Sequence, residues 1–98
     1  MALKIIWTKR AEAGYTKIID YLETYFTEKE VRKFVRQSYE FFELLSEYPE
    51  VLESTGKRKN VHRGPINKHI ILTYRIKPRK KQIELINIRS SRQKPLQK

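Results

Sequence analysis

The sequence has no cysteine, which excludes disulfides, thiol nucleophiles and thiolate metal sites. It has no apolar run near the roughly 18 residues that a membrane-spanning helix requires. Residues 1–7 are too short for a signal peptide and are not followed by a small-residue cleavage site. A soluble, cytoplasmic protein without a membrane partner is expected, and the lack of cysteine suits a reducing compartment. Histidine is scarce, with only His62 and His69. No His/Asp/Glu cluster has ligand spacing, so neither a metal nor another cofactor is expected. Internal repeats are absent.

Acidic residues are missing from one part of the chain. Residues 1–56 carry 8 Lys+Arg against 10 Asp+Glu, a net of −2, whereas residues 57–98 carry 14 against 1, a net of +13. Together they make the total of +11. Unbalanced charge opposes compaction, so a domain that keeps it usually meets an anionic partner. The total of 98 residues, 39% of them hydrophobic, suffices for one small core and not for two. A single domain over residues 1–98 is expected, with a polar tail fraying from about residue 93.

Leu3, Ile5 and Trp7 alternate with polar neighbours, as in a short strand. Thr8 then suits a helix N-cap. Ala11, Tyr15, Ile18, Ile19, Leu22, Tyr25 and Phe26 recur at helical spacing, with Gly14 weakening the helix slightly. Thr27 and Glu30 form a capping-box pattern, and Phe26 with Val31 a hydrophobic staple. The second apolar stripe runs through Phe34, Val35, Phe41, Phe42, Leu45 and Tyr48 until Pro49 stops it. With so short a connection the two helices should form an antiparallel hairpin, packed by Tyr15, Tyr21, Tyr25, Tyr39 and Tyr48.

The period changes after Pro49. Residues 54–56 read as a turn, residues 57–63 as a basic, extended segment, and Gly64-Pro65 with Asn67-Lys68 as the bounds of another turn. Ile70, Leu72, Tyr74 and Ile76 then alternate with Ile71, Thr73 and Arg75, a strand with one strongly apolar face. Residues 78–81 are a basic turn. Residues 83–88 are apolar on both faces, as an interior strand would be. The expected class is α+β: an N-terminal strand and an antiparallel helical hairpin on a mostly antiparallel sheet.

Two segments carry a resemblance, NKHIILTYRI at residues 67–76 and ELINIRSSRQKP at residues 84–95. They are similar to the paired C-terminal strands of toxins of the RelE/ParE superfamily, the plasmid stabilisation proteins. The strand, helical hairpin and proline near residue 50 agree in order, so the resemblance covers nearly the whole chain. It implies a small microbial ribonuclease-like fold and the toxin role in a bacterial type II toxin–antitoxin system. It also implies an antitoxin partner, expected to be acidic and partly disordered so that it folds over the basic surface. The target would be messenger RNA on the translating ribosome in RelE-like members, and DNA gyrase in ParE-like members.

Cleavage of RNA by its own 2′-hydroxyl needs a proton acceptor, a proton donor and cations around the phosphorane-like charge. The resemblance implies a phosphate-binding role for Arg63, since a guanidinium fork engages two phosphate oxygens. Arg89 and Arg92 would complete that anion site, and Lys59 or Lys57 would serve in proton transfer if its positive neighbours lowered its pKa. Catalytic candidates are therefore Arg63, Arg89, Arg92 and Lys59. Nucleic-acid contacts are expected from these together with Lys57, Arg58 and Arg75. His62 should face away from Val61 and Arg63, and Tyr74 should be a core tyrosine. One stretch departs from the family's nuclease members: where several carry a His or Tyr, this chain reads Ser90-Ser91-Arg92-Gln93. On charge, a ribosome-dependent messenger RNA endoribonuclease is the leading expectation. The alternatives are a ParE-like gyrase inhibitor without nuclease activity and a non-toxic basic protein that binds nucleic acid.

Overall fold

The computed structural model describes residues 2–67 and 70–91. The order is strand β1 (Lys4–Trp7), helix α1 (Lys9–Tyr25), helix α2 (Glu28–Glu47), then strands β2 (Val61–Asn67), β3 (Ile70–Lys77) and β4 (Gln82–Ser90). A 3-10 turn, Pro78–Lys80, joins the last two. The strands form one sheet in the order β1-β4-β3-β2. β4 pairs parallel to β1, while the β3–β4 and β2–β3 pairings are antiparallel. The architecture is the expected α+β one, a helical pair on a mostly antiparallel sheet, with β4 interior as its two apolar faces required.

Both helix starts form as the sequence predicts. Thr8 caps α1 by accepting from the Ala11 amide at 3.1 Å, and its hydroxyl also donates to the Leu85 carbonyl at 2.7 Å. One threonine thus caps a helix and ties it to the central strand. At α2, Thr27 accepts from the Glu30 amide at 3.2 Å and Glu30 accepts from the Thr27 amide at 3.0 Å, a complete capping box. Val31, Phe34, Ser38, Phe42 and Leu45, at spacings of three and four, bury one stripe of α2. They meet Ile70, Leu72, Tyr74 and Ile76 of β3 and Ile83, Leu85 and Ile88 of β4. Burial of each large apolar side chain contributes about 1.5–3 kcal/mol.

The tyrosines divide differently from the expectation. Tyr15 packs between Trp7 and Phe34, with ring centroids 5.5 and 5.9 Å away. Tyr21, Tyr25, Tyr39 and Tyr48 are exposed. Helical spacing places them beside the apolar stripes, and the core is already filled by aliphatic residues from the sheet.

Two loop expectations are also corrected. Residues 64–67 belong to β2 and are not a turn; the register shifts between Pro65 and Asn67. β2 is an edge strand, where a proline removes no needed ladder donor. The basic segment is extended only from Val61. Before it the chain turns, with Gly56 at φ 75° and Asn60 at φ 63°. The fraying expected from residue 93 lies outside the described residues.

Gly14 has a reason the sequence did not reveal. A Cβ there would fall far inside contact distance of the Ile88 carbonyl oxygen and 3.1 Å from its carbon, both backbone atoms of β4. Helix α1 sits this close to the sheet because residue 14 has no side chain. Gly14→Ala should therefore lower stability by about 1–3 kcal/mol through forced displacement, although alanine is the better helix former by about 1 kcal/mol. Urea denaturation checks it; an unchanged or higher midpoint would mean that α1 is not seated on β4 at this point.

Candidate functional site

Side chains alternate across a strand, so the sheet register sorts them by face. Tyr74, Leu72, Leu85 and Ile88 face the helices. On the opposite, outer face, Arg63 pairs with Thr73 and Thr73 with Asn87. Arg75 stands across from Val61 on one side and Glu84 on the other. Arg89 is across from Ile71. Three of the expected arginines thus share one face on successive rows. Rows of one face repeat every ~6.7 Å along a strand and strands lie ~4.8 Å apart, within reach of extended arginine side chains. Arg75 and Arg89 are half-buried and Arg63 is exposed. Ile71, half-buried, lies beside Arg89, and Ile6 of edge strand β1, also half-buried, lies beyond Glu84 from Arg75. The face mixes guanidinium groups with isolated isoleucines and the polar Thr73 and Asn87.

Lys57, Arg58 and Lys59 are not in these rows. They occupy the turn before β2 and are exposed. Arg92 lies outside the described residues, as does His69. Glu84 was not foreseen on this face. It forms an ion pair with Lys77 at 3.6 Å and is the only acid after residue 56. Alternation over residues 82–85 would have found it; the register shift opposite Thr73 and Tyr74 breaks the alternation beyond them.

His62 faces opposite to Arg63, as alternation predicts, and this turns it toward Tyr74 and the core. Its ring stacks on Tyr74, with centroids 5.4 Å apart and planes 7° from parallel. Its Nδ1 donates to the Leu52 carbonyl at 2.7 Å. The Tyr74 hydroxyl donates to the Pro49 carbonyl at 2.5 Å and accepts from the Leu52 amide at 3.4 Å. Together they fasten the segment after α2 to the sheet. That segment then covers the outer edge of β2: the Arg63 amide donates to the Glu53 carbonyl at 2.9 Å, and Ser54 bridges to His62. The position of Arg63 is therefore set from the core.

A second concave feature lies between α1 and the part of β4 beyond the end of β1. It is a groove of about 690 Å³ lined by Arg10, Gly14, Lys17, Tyr21 and residues 87–90 of β4. Its charged lining residues, Arg10, Lys17 and Arg89, are all cationic.

The sequence matches the ParE toxin of the type II toxin–antitoxin system parDE over residues 5–95. The chain belongs to the ParE toxin family. Membership in this family, within the RelE/ParE superfamily, gives the coarse function: this is the toxin of a type II toxin–antitoxin system, and an antitoxin is its partner. Solved structures agree on the fold. A chromosomal ParDE toxin–antitoxin system from P. aeruginosa superposes with a TM-score of 0.72 at 18% identity, covering 91% of this chain and 96% of that one. A RelBE toxin–antitoxin complex from Mycobacterium tuberculosis gives 0.62 at 14% identity, covering 92% and 99%. A metal-bound toxin from Helicobacter pylori gives 0.54 at 19%, covering 91% and 94%. Among the described residues of this chain, no group of three or more His, Cys, Asp or Glu is placed to hold a metal ion. No match was found among curated protein sequences. No helix of the described residues is long and apolar enough to cross a membrane.

Burial pushes the Tyr74 hydroxyl up from 10.0 to about 12, opposed by the Leu52 amide and reinforced by Glu50. A pKa raised on folding means that the stabilising contribution is complete below the unfolded value and lost as pH rises through the folded one. Tyr74→Phe should cost about 1–3 kcal/mol at neutral pH, because it takes away the hydroxyl partner of two backbone groups. The gap between wild type and variant should then narrow between pH 10 and about 12. Denaturant midpoints over that range test it, and a constant gap would contradict the buried hydroxyl.

Proposed function

We propose that this toxin inhibits DNA gyrase by a protein contact and does not cleave RNA. The observation that carries the reading is the ParE family match over residues 5–95. The composition of the outer face supports it. A face that mixes Arg63, Arg75 and Arg89 with Ile71, Thr73 and Asn87 has the makeup of a protein interface, where arginine is enriched among the residues that carry affinity. The placement of His62 also weighs for it. The imidazole stacks on Tyr74 beneath the sheet, away from the arginines, so it offers them no proton transfer. The charge of residues 57–98 alone had favoured the nuclease. A cluster of arginines suits phosphate whether or not cleavage follows, and this keeps the endoribonuclease as the second reading.

The antitoxin is proposed to lay an acidic segment in the groove between α1 and β4, where Arg10 and Lys17 of α1 supply charge of one sign. Tyr21, 45% exposed, lines the same groove, and Tyr25 stands beside it with ring centroids 4.8 Å apart. Exposed aromatic rings of this kind serve as anchors for a partner that folds on binding.

Purified gyrase should lose supercoiling activity when the toxin is added. Arg63→Ala/Arg89→Ala should weaken that inhibition at least about tenfold, the equivalent of about 1.4 kcal/mol at the contact. In a reconstituted translation reaction no new messenger RNA ends should appear by primer extension. Ends that arise only while ribosomes translate, with supercoiling unaffected, would establish the endoribonuclease instead. Arg10→Glu/Lys17→Glu should bind the co-expressed antitoxin about tenfold or more weakly in titration calorimetry; an unchanged affinity would place the antitoxin elsewhere.

A further inference from the structure

The topology collects a second set of cations at one end of the sheet, away from the arginine rows. β1, β2 and β4 all begin at this end and β3 finishes there, because β1 is parallel to β4 and β3 runs against both of its neighbours. Two basic runs, far apart in sequence, meet as a result. The Ile76 amide donates to the Asn60 carbonyl at 2.9 Å, which sets residues 57–59 beside the end of β3. The Lys4 amide donates to the Lys81 carbonyl at 3.0 Å, which sets residues 79–81 beside the start of β1. The left-handed backbone of Asn60, φ 63°, and Lys81, φ 55°, turns each run into its strand.

The end therefore carries Lys57, Arg58 and Lys59, then Arg79, Lys80 and Lys81, with Lys4 and Lys77 beside them. All but Lys77 are exposed. Acids placed at this end are Glu84 in its pair with Lys77, and Glu47, next to Ser46, whose hydroxyl donates to the Leu3 carbonyl at 2.6 Å. The eight cations outnumber them. Four strands about 4.8 Å apart spread these charges over ~15 Å, comparable with the ~12 Å width of a major groove.

We propose that this end of the sheet binds the phosphate backbone of duplex DNA. Its composition selects that partner. The exposed large apolar residues among those described are Tyr21, Tyr25, Tyr39, Leu44, Tyr48 and Val51, and none belongs to either basic run. A protein partner would need such anchors at the centre of its contact. A single strand would need aromatic platforms for its bases. What remains is point charge, which reads phosphate without reading sequence. The assignment goes beyond the gyrase reading; only the choice of DNA over RNA among duplexes rests on it, because DNA is what gyrase acts upon.

The test is fluorescence anisotropy of a labelled duplex of about 20 base pairs between ~50 and ~200 mM salt, where each released counterion contributes about 0.9 to the log–log slope. Two variants neutralise the runs separately: Lys57→Gln/Arg58→Gln/Lys59→Gln and Arg79→Gln/Lys80→Gln/Lys81→Gln. Their six side chains are exposed, and circular dichroism verifies that the fold is kept. Lys33→Gln/Arg36→Gln, at exposed positions of α2, removes charge from the helical side as a control. Each triple variant should lose about tenfold or more in affinity and flatten the salt slope by about two, while the control loses less than about threefold. Triple variants that bind as the control does would overturn the site. Tighter binding of a single strand, of duplex RNA or of poly-glutamate than of duplex DNA would overturn the partner. Gyrase supercoiling measured with the same triple variants reports on the inhibitor reading separately, since DNA affinity is read without gyrase present.

Discussion

Strand β4 is the member on which the other elements depend. It pairs with β1 on one side and β3 on the other, so the chain's first and last strands lie side by side. Its Leu85 and Ile86 carbonyls accept the hydroxyl of the residue that caps α1. Its Ile88 carbonyl lies directly beneath Gly14. Side chains on one of its faces fill the core, and those on the other join the arginine rows. A central strand holding both a parallel and an antiparallel neighbour must be buried by a crossover between them, and the helical pair supplies it.

The same strand divides the molecule into three surfaces of distinct chemistry. The outer face mixes guanidinium groups with isoleucine and small polar side chains. The groove against α1 combines cations with an exposed tyrosine. The far end, where three strands begin and one ends, presents two runs of point charge. A toxin in this family must recognise an antitoxin and a target. A small sheet with a single helical layer leaves one face and both ends of the sheet free for such contacts, at the expense of a large core.

His62 and Tyr74 illustrate how a polar pair in the core serves the surface. Their stacked rings and three hydrogen bonds to backbone hold the segment after α2, and that segment in turn covers the edge strand carrying Arg63. Covering an edge also removes a template for unwanted strand pairing. The histidine is thus accounted for by structure, in keeping with its position opposite the arginines.

Much of this was legible in the sequence because the signals are local. Thr8, the Thr27–Glu30 box and Pro49 fix helix boundaries through neighbouring backbone groups, and alternation in residues 70–76 fixes which face is buried. The class and the element order follow from such short-range rules. Four features were decided only by tertiary structure. Gly14 reads as a weak helix residue until Ile88 is seen against it. Four tyrosines sit beside apolar stripes, and whether they pack depends on how much of the core the sheet has already filled. Glu84 acquires a partner only through strand pairing. The two basic runs lie some twenty residues apart in sequence, and it is the direction of four strands that brings them to one end. Hydrogen bonds within a turn are written into neighbouring residues, whereas the meeting of distant surfaces depends on register and strand direction, which no local spacing encodes.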